Sequence, residues 1–145
     1  MAQALLERML AERGVNGRVR VRSGGVAPYA RDGMLPSLDA RLALREVGIE
    51  MAEDGMSSVD LRRHPDLVTE ADLILTMTGT QREMLAALPD AAGRPTFTLR
   101  EFAGDAGDIE DPAMQGLEAF RASRDVIHGC LERAIDRLLA LAGPA

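Results

Sequence analysis

Leu73-Ile74-Leu75-Thr76-Met77 is an unbroken apolar run of strand length, followed directly by Thr78. A strand with one wet face alternates polar and apolar residues, so a continuous run reads as a strand covered on both faces, as in a parallel sheet. Thr78 is a good N-cap, and the pattern after it predicts a helix over about 80–88. Downstream, residues 95–99 hold the alternating Thr96-Phe97-Thr98 and read as a second short strand. Upstream, a short helix is expected within 59–69, after a loop over 50–58 containing Gly55, Ser57 and Ser58. Further back, Arg18-Val19-Arg20-Val21-Arg22 repeats with a period of two. It predicts a third strand with Val19 and Val21 on its buried face, near a sheet edge.

The remaining stretches are helical or turn-like. Ala2, Leu5, Leu6 and Met9 give residues 1–13 an apolar face that stops at Gly14. This helix starts at the first residue, with no N-cap before it. Ser23-Gly24-Gly25 ends the Arg-Val strand in a tight turn, and a loop with Tyr29 and Gly33 runs to Pro36. Ser37 caps a helix over 37–47 with Leu38, Leu42 and Val47 inward, closed by Gly48. The last helix covers about 115–141, with Phe120, Ile127, Leu131, Ala134, Ile135 and Leu138 in one stripe. Strands alternating with helices give an α/β class with a short parallel sheet in a single domain, residues 1–145. Three strands starting from a helix look incomplete. In such folds the helix after the first strand carries an anion site at its N-terminus, and here the strand and loop that would feed it are absent.

Composition narrows the function. The 145 residues are 46% hydrophobic and carry a net charge of −6, which argues against a nucleic-acid surface. With three Phe, one Tyr and no Trp, the core must be built from aliphatic side chains, with Met as filler. All 17 basic residues are Arg, a codon bias without functional weight. The single Cys130 excludes an intrachain disulfide and a cysteine-based metal cluster, and neither a secretory signal nor a membrane span is read, so a cytoplasmic protein is expected. Neither cofactor nor metal is called for. One loop has a shape that chemistry could use: Asp108-Ile109-Glu110-Asp111-Pro112, behind Gly104 and Gly107. Pro112 biases Asp111 to extended geometry. On local features this is an ordinary turn before a helix, or a carboxylate held over a pocket as a general acid.

At this point the chain resembles the low-molecular-weight protein tyrosine phosphatases, including their bacterial protein-arginine phosphatase branch. Met1-Ala2-Gln3-Ala4-Leu5-Leu6 is similar to the family's P-M-A-E-A-L-L, and Arg22-Ser23-Gly24-Gly25-Val26 to R-S-A-G-V/T. Glu70-Ala71-Asp72-Leu73-Ile74-Leu75-Thr76-Met77-Thr78 resembles E-A-D-L-I-L-x-M-T, and Phe97-Thr98-Leu99-Arg100-Glu101-Phe102 and Asp111-Pro112 follow in order. The resemblance implies a four-stranded parallel sheet in the order 2-1-3-4, with helices on both faces and the first strand absent here. It implies hydrolysis of phosphorylated protein side chains through a cysteinyl-phosphate. Asp111 matches the general acid, which then activates water. Ser23 matches a serine that buttresses the phosphate loop, and Tyr29 an aromatic wall for the substrate ring. The family's C-x-G-N-x-C-R-S signature is not among these residues. Two departures bear on substrate preference: Ala113-Met114-Gln115-Gly116 after Asp-Pro, and the absence of a His around Glu53-Asp54-Gly55.

Other residues read more plainly. Asp108 and Glu110 are expected as solvated loop charges, Arg20 and Arg22 as solvated strand residues, His64 as a loop residue and His128 as a helix-surface residue. Cys130, in mid-helix without a Gly-rich loop, is a buried structural thiol rather than a substitute nucleophile. The chain as written is therefore expected to be inactive. Either the gene product starts upstream of Met1, which in-frame upstream codons for the signature would establish, or this is a non-catalytic relative that binds a partner or phospho-ligand. A thiol-dependent arsenate reductase on the same fold needs several cysteines and fails. The missing strand would leave a slot of roughly 10 Å between 18–22 and 73–77. The sheet could close up, another chain could fill the slot, or unpaired edges could drive association into a homodimer.

Overall fold

The computed structural model describes residues 1–51 and 56–143. The sequence-predicted loop at 50–58, with Glu53-Asp54-Gly55, falls partly outside them. The chain divides into two compact units: residues 1–22, 37–51 and 111–145, and residues 23–36 and 52–110.

The first unit is helical. Helix α1 (Ala2–Glu12) and helix α2 (Leu38–Arg45) both pack on the long helix α6 (Leu117–Ala142). The stripe on α6 behaves as its spacing predicts: Phe120, Ile127, Leu131, Ala134 and Ile135 are buried, and Cys130 lies among them. On α1 the buried residues are Ala4, Leu5, Leu6 and Leu10. Ser37 caps α2 by accepting from the Ala40 N–H at 3.2 Å. At the other end of α2, Arg124 donates to the Ala43 carbonyl at 2.8 Å and to Glu46 at 2.8 Å, and Arg121 donates to Glu46 from two nitrogens. A cation among the last carbonyls of a helix complements its dipole. Bonds from Arg121, then Arg124, pull the Glu46 carboxyl down to about 2.

The second unit holds the sheet. Strand β1 (Ile74–Thr76) and strand β2 (Thr96–Thr98) pair in parallel, Ile74 opposite Thr96 and Thr76 opposite Thr98. Helix α3 (Pro65–Thr69) precedes β1. Helix α4 (Gly79–Ala86) follows it, started by a capping box between Thr78 and Gln81. A 3-10 turn (Pro89–Ala91) leads to β2. Helix α5 (Leu99–Phe102) follows β2, started by a second capping box between Thr98 and Glu101. Each box satisfies orphan donors in a helix's first turn. Val68, Leu85, Leu99, Phe102 and Ile109 are buried, with the Phe97 and Phe102 ring centroids 5.7 Å apart.

Besides the inner face of α2, which is Ala43 and Leu44 while Leu38 and Val47, expected inward, are exposed, four expectations are corrected. Residues 18–22 join no ladder among the described residues, because a strand exists only with a partner for its backbone groups. The sheet there has two strands rather than three. Chain pairing resumes just beyond, at a single parallel bridge between Gly25 and Asp60. There the Gly25 N–H donates to the Val59 carbonyl at 2.8 Å. At Gly24 an added Cβ would stand 2.6 Å from the Leu61 side chain, which would have to shift to admit it. Second, β1 is less enclosed than its unbroken apolar run implies: Ile74 and Leu75 are half-buried and only Thr76 is fully buried. Third, the second strand ends at Thr98: Leu99, expected as its last residue, opens α5, because the Thr98–Glu101 box starts a helix there. Fourth, methionine is not core filler; none of the eight is fully buried, and Met34 and Met114 are exposed. No described helix is long and apolar enough to cross a membrane.

Two outcomes follow from this packing. Ile109→Ala should destabilise the protein by about 2–5 kcal/mol in urea titration, the range for a buried aliphatic side chain cut to alanine, while Ala106→Gly in the exposed stretch before it should leave the midpoint nearly unchanged. Glu46 has a depressed folded-state pKa, so its contribution is present above the unfolded value of 4.5 and is lost as pH falls through about 2. The stability gap between the native chain and Glu46→Gln should therefore narrow between pH 5 and pH 2, and an unchanged gap would contradict the assignment.

Candidate active site

Ligand sites on open parallel sheets lie beyond the carboxyl ends of the strands. In the second unit the chain end of β1 is Met77-Thr78, and the acidic loop is bonded to it. The Ile109 N–H donates to the Met77 carbonyl at 2.8 Å, and the Ile109 side chain is buried. One residue earlier, Asp108 Oδ1 accepts from the Gly79 N–H at 2.9 Å, at the first turn of α4. That places a carboxylate where the helix dipole favours one. Arg100 Nε donates to the Asp108 carbonyl at 3.1 Å and its Nη1 to Asp105 at 3.3 Å, holding the loop from below. Asp108 is thus not merely a solvated charge: it caps α4. Glu110 is exposed.

The chain passes from the second unit to the first between Glu110 and Asp111. Asp111 is exposed and held in a turn of its own: its Oδ1 accepts from the Ala113 N–H at 3.0 Å. The Gln115 side-chain amide donates to the Asp111 carbonyl and the Gln115 N–H to the Pro112 carbonyl, at 3.0 and 3.1 Å. Met114, between them, has φ +66°, a left-handed conformation uncommon outside glycine. A side-chain oxygen bonded two residues on is the Asx turn that Asp and Pro together favour. Such a carboxylate is oriented without being buried.

Ser23 and Tyr29 lie in the second unit, so the three site residues expected from the sequence are divided between the units. Ser23 is exposed, two residues before the Gly25 bridge. Tyr29 sits on a turn closed by the Ala30 N–H and the Ala27 carbonyl, with 76% of its surface exposed. The loop beyond it is tied to the segment leading to α3. Asp32 accepts from the Asp60 N–H at 2.7 Å and pairs with His64 at 2.9 Å, while Asp60, buried, pairs with Arg62 at 3.0 Å. These bonds hold the Asp32 and Asp60 carboxyls below their usual range, Asp32 chiefly through the Asp60 N–H and Asp60 through Arg62. His64 is therefore a partner in a cluster and not a bare loop residue. Nothing in the spacing of Asp32, Asp60 and His64 announces it. Ile109 did leave a signal, as the one large apolar residue among four carboxylates. Cys130 is 1% exposed in α6, beside Arg133. Among the described residues, no three His, Cys, Asp or Glu side chains are grouped to hold a metal.

Comparison with known proteins bears directly on this arrangement. A protein-arginine phosphatase from Geobacillus stearothermophilus is 36% identical over 139 residues, covering 95% of this chain and 86% of its own. A probable low-molecular-weight protein-tyrosine-phosphatase from Ralstonia nicotianae is 30% identical over 97% of this chain and 88% of its own. Among solved structures, a low-molecular-weight protein tyrosine phosphatase from T. tengcongensis superposes with a TM-score of 0.81 at 27% identity, over 94% of this chain and 88% of that one. An arginine phosphatase mutant whose active-site serine, put in place of a cysteine, is phosphorylated has a TM-score of 0.81 at 28% identity, over 94% and 85%. The family model described as low molecular weight phosphotyrosine protein phosphatase matches residues 1–140. The chain belongs to the low-molecular-weight protein tyrosine phosphatase family.

Proposed function

We propose that Asp111 is this chain's general acid for hydrolysing phosphorylated tyrosine or arginine side chains of proteins, and that the 145 residues alone do not complete the reaction. The observation that carries the reading is the Asp111 turn, oriented by the Ala113 N–H just past the sheet-bonded loop, within a family match running from residue 1 to 140. The same match supports taking both units as parts of one phosphatase-type domain.

In that reaction a cysteine sulfur attacks phosphorus and the bond from phosphorus to the side chain breaks. The Asp111 carboxyl gives its proton to the leaving oxygen or nitrogen. Water then attacks the phosphorus of the cysteinyl-phosphate, Asp111 takes the water's proton, and the sulfur leaves as thiolate. The relative with a phosphorylated serine in place of a cysteine supports a covalent phosphoenzyme. Tyr29, largely exposed on its turn, offers a ring face to a substrate side chain. Ser23, at the end of the Arg-Val stretch, is the buttress for a phosphate loop.

Among these residues the nucleophile is missing. Cys130 is the only cysteine, and it is enclosed in α6. Covalent catalysis and the preorganised donors of a phosphate loop act together, and removing such groups costs several orders of magnitude in rate. The test is para-nitrophenyl phosphate hydrolysis by the 145-residue chain. No turnover above buffer is expected. Clear turnover that disappears in Asp111→Asn would contradict the claim of inactivity while upholding Asp111 as the acid.

A further inference from the structure

We propose that Asp32, Asp60 and Arg62 are positioning residues for Tyr29, clamping the turn from which its ring meets a phosphorylated side chain; the functional half of this rests on Tyr29 facing the substrate. All four residues lie in the second unit. Tyr29 is 76% exposed, so packing of the ring does little to hold it, and its place is set by its backbone. The turn that carries it, closed by the Ala30 N–H and the Ala27 carbonyl, is attached on both sides. Before Tyr29, Arg62 Nη2 donates to the Pro28 carbonyl at 3.3 Å. After it, Asp32 Oδ1 accepts from the Asp60 N–H at 2.7 Å. The two attachments meet at Asp60, where Arg62 Nε donates to Oδ1 and Arg62 Nη2 to Oδ2, both at 3.0 Å. The bonds thus close a ring from Pro28 through Arg62, Asp60 and Asp32, with Tyr29 on the chain between its ends.

The burial of Asp60 makes this ring more than a surface charge pair. A buried carboxylate has to be paired, and Asp60 is 4% exposed. Its partner is a planar fork set on both of its oxygens, which fixes direction as well as distance. Arg62 is therefore aimed by Asp60, and its Nη2 reaches the Pro28 carbonyl from a set place. The backbone under Asp60 is itself fastened, since the Gly25 N–H donates to the Val59 carbonyl and the Leu61 N–H to the Gly25 carbonyl, at 2.8 and 2.9 Å. The second oxygen of Asp32 faces His64 Nε2 at 2.9 Å. An ionised carboxylate only accepts, so that nitrogen carries a hydrogen. Past Asp32, the Gly33 N–H donates to the Ser58 carbonyl and the Ser58 N–H to the Met34 carbonyl, at 2.9 and 2.8 Å. These backbone bonds hold the ends of the loop. The ring through Asp60 holds the turn between them, and with it the only tyrosine.

The experiment uses the full chain, in which Tyr29 emits without interference from any other tyrosine or from tryptophan. Nitrogen-15 relaxation should give the Tyr29 and Arg31 amides order parameters of about 0.85, the value of a rigid backbone. Asp32→Ala, which removes the bond to the Asp60 N–H, should drop both below about 0.6 and lower the tyrosine fluorescence anisotropy. The Ile74 amide and the melting temperature should stay nearly unchanged, which a loss of general stability would not allow. Asp32→Asn keeps an oxygen for the Asp60 N–H and should restore both signals. Arg62→Lys keeps the charge without the fork, and should loosen the turn as Asp32→Ala does. Order parameters that stay near about 0.85 in Asp32→Ala or in Arg62→Lys would overturn the proposal. So would an equal loss in Asp32→Asn, which would trace the effect to charge and not to the Asp60 bond. These signals need no substrate, so the clamp can fail while the phosphatase assignment stands, and the reverse.

Discussion

The Ile109 N–H meets the Met77 carbonyl at 2.8 Å, and the acidic loop hangs from that bond. Its strength lies mostly in what accompanies it. A net backbone hydrogen bond contributes about 0.5–1.5 kcal/mol, whereas burying an isoleucine side chain contributes about 1.5–3 kcal/mol. The apolar anchor therefore outweighs the bond it aligns. Around it, Asp108 caps α4 and Arg100 ties the loop from beneath. The loop up to Glu110 is thus positioned by the end of β1 and by the first turn of α4.

The same accounting of backbone groups explains the contrast between two of the stretches that read as strands. Residues 74–76 have partners in β2 and make a ladder. Residues 19–22 alternate regularly, but alternation chooses faces and does not provide a neighbour. The pairing that does form nearby uses Gly25 and Asp60, and an added Cβ at Gly24 would have to displace the Leu61 side chain.

Local rules and long-range ones part company along this chain. The capping residues Ser37 and Thr78 were legible because a cap is decided within four residues, and the stripe on α6 because a helix shows its buried face as a period. The family was legible from five short segments in order, and the matches over residues 1–140 agree with it. The role of Asp108 was not legible, because its partner, the Gly79 N–H, is 29 residues away. The cluster of Asp32, Asp60 and His64 was hidden for the same reason. The methionine expectation failed because scarcity of aromatics does not determine which aliphatic side chains reach the core; leucine, isoleucine, alanine and phenylalanine dominate it.

Asp111 opens the first unit and is held in a turn of its own. Its carboxylate is oriented by Ala113, and the loop before it by the sheet, while the only thiol is enclosed in another element. The central claim is that the acid loop up to Glu110 is held by the end of β1, the first turn of α4 and Arg100. Native-state hydrogen exchange on the ligand-free chain tests it most directly. The Ile109 amide should be protected to the same degree as the Ile74 amide, which donates to the Pro95 carbonyl in the β1–β2 ladder. Exchange of Ile109 as fast as that of Ala106, in the exposed stretch before it, would show that the loop is not held and would contradict the account.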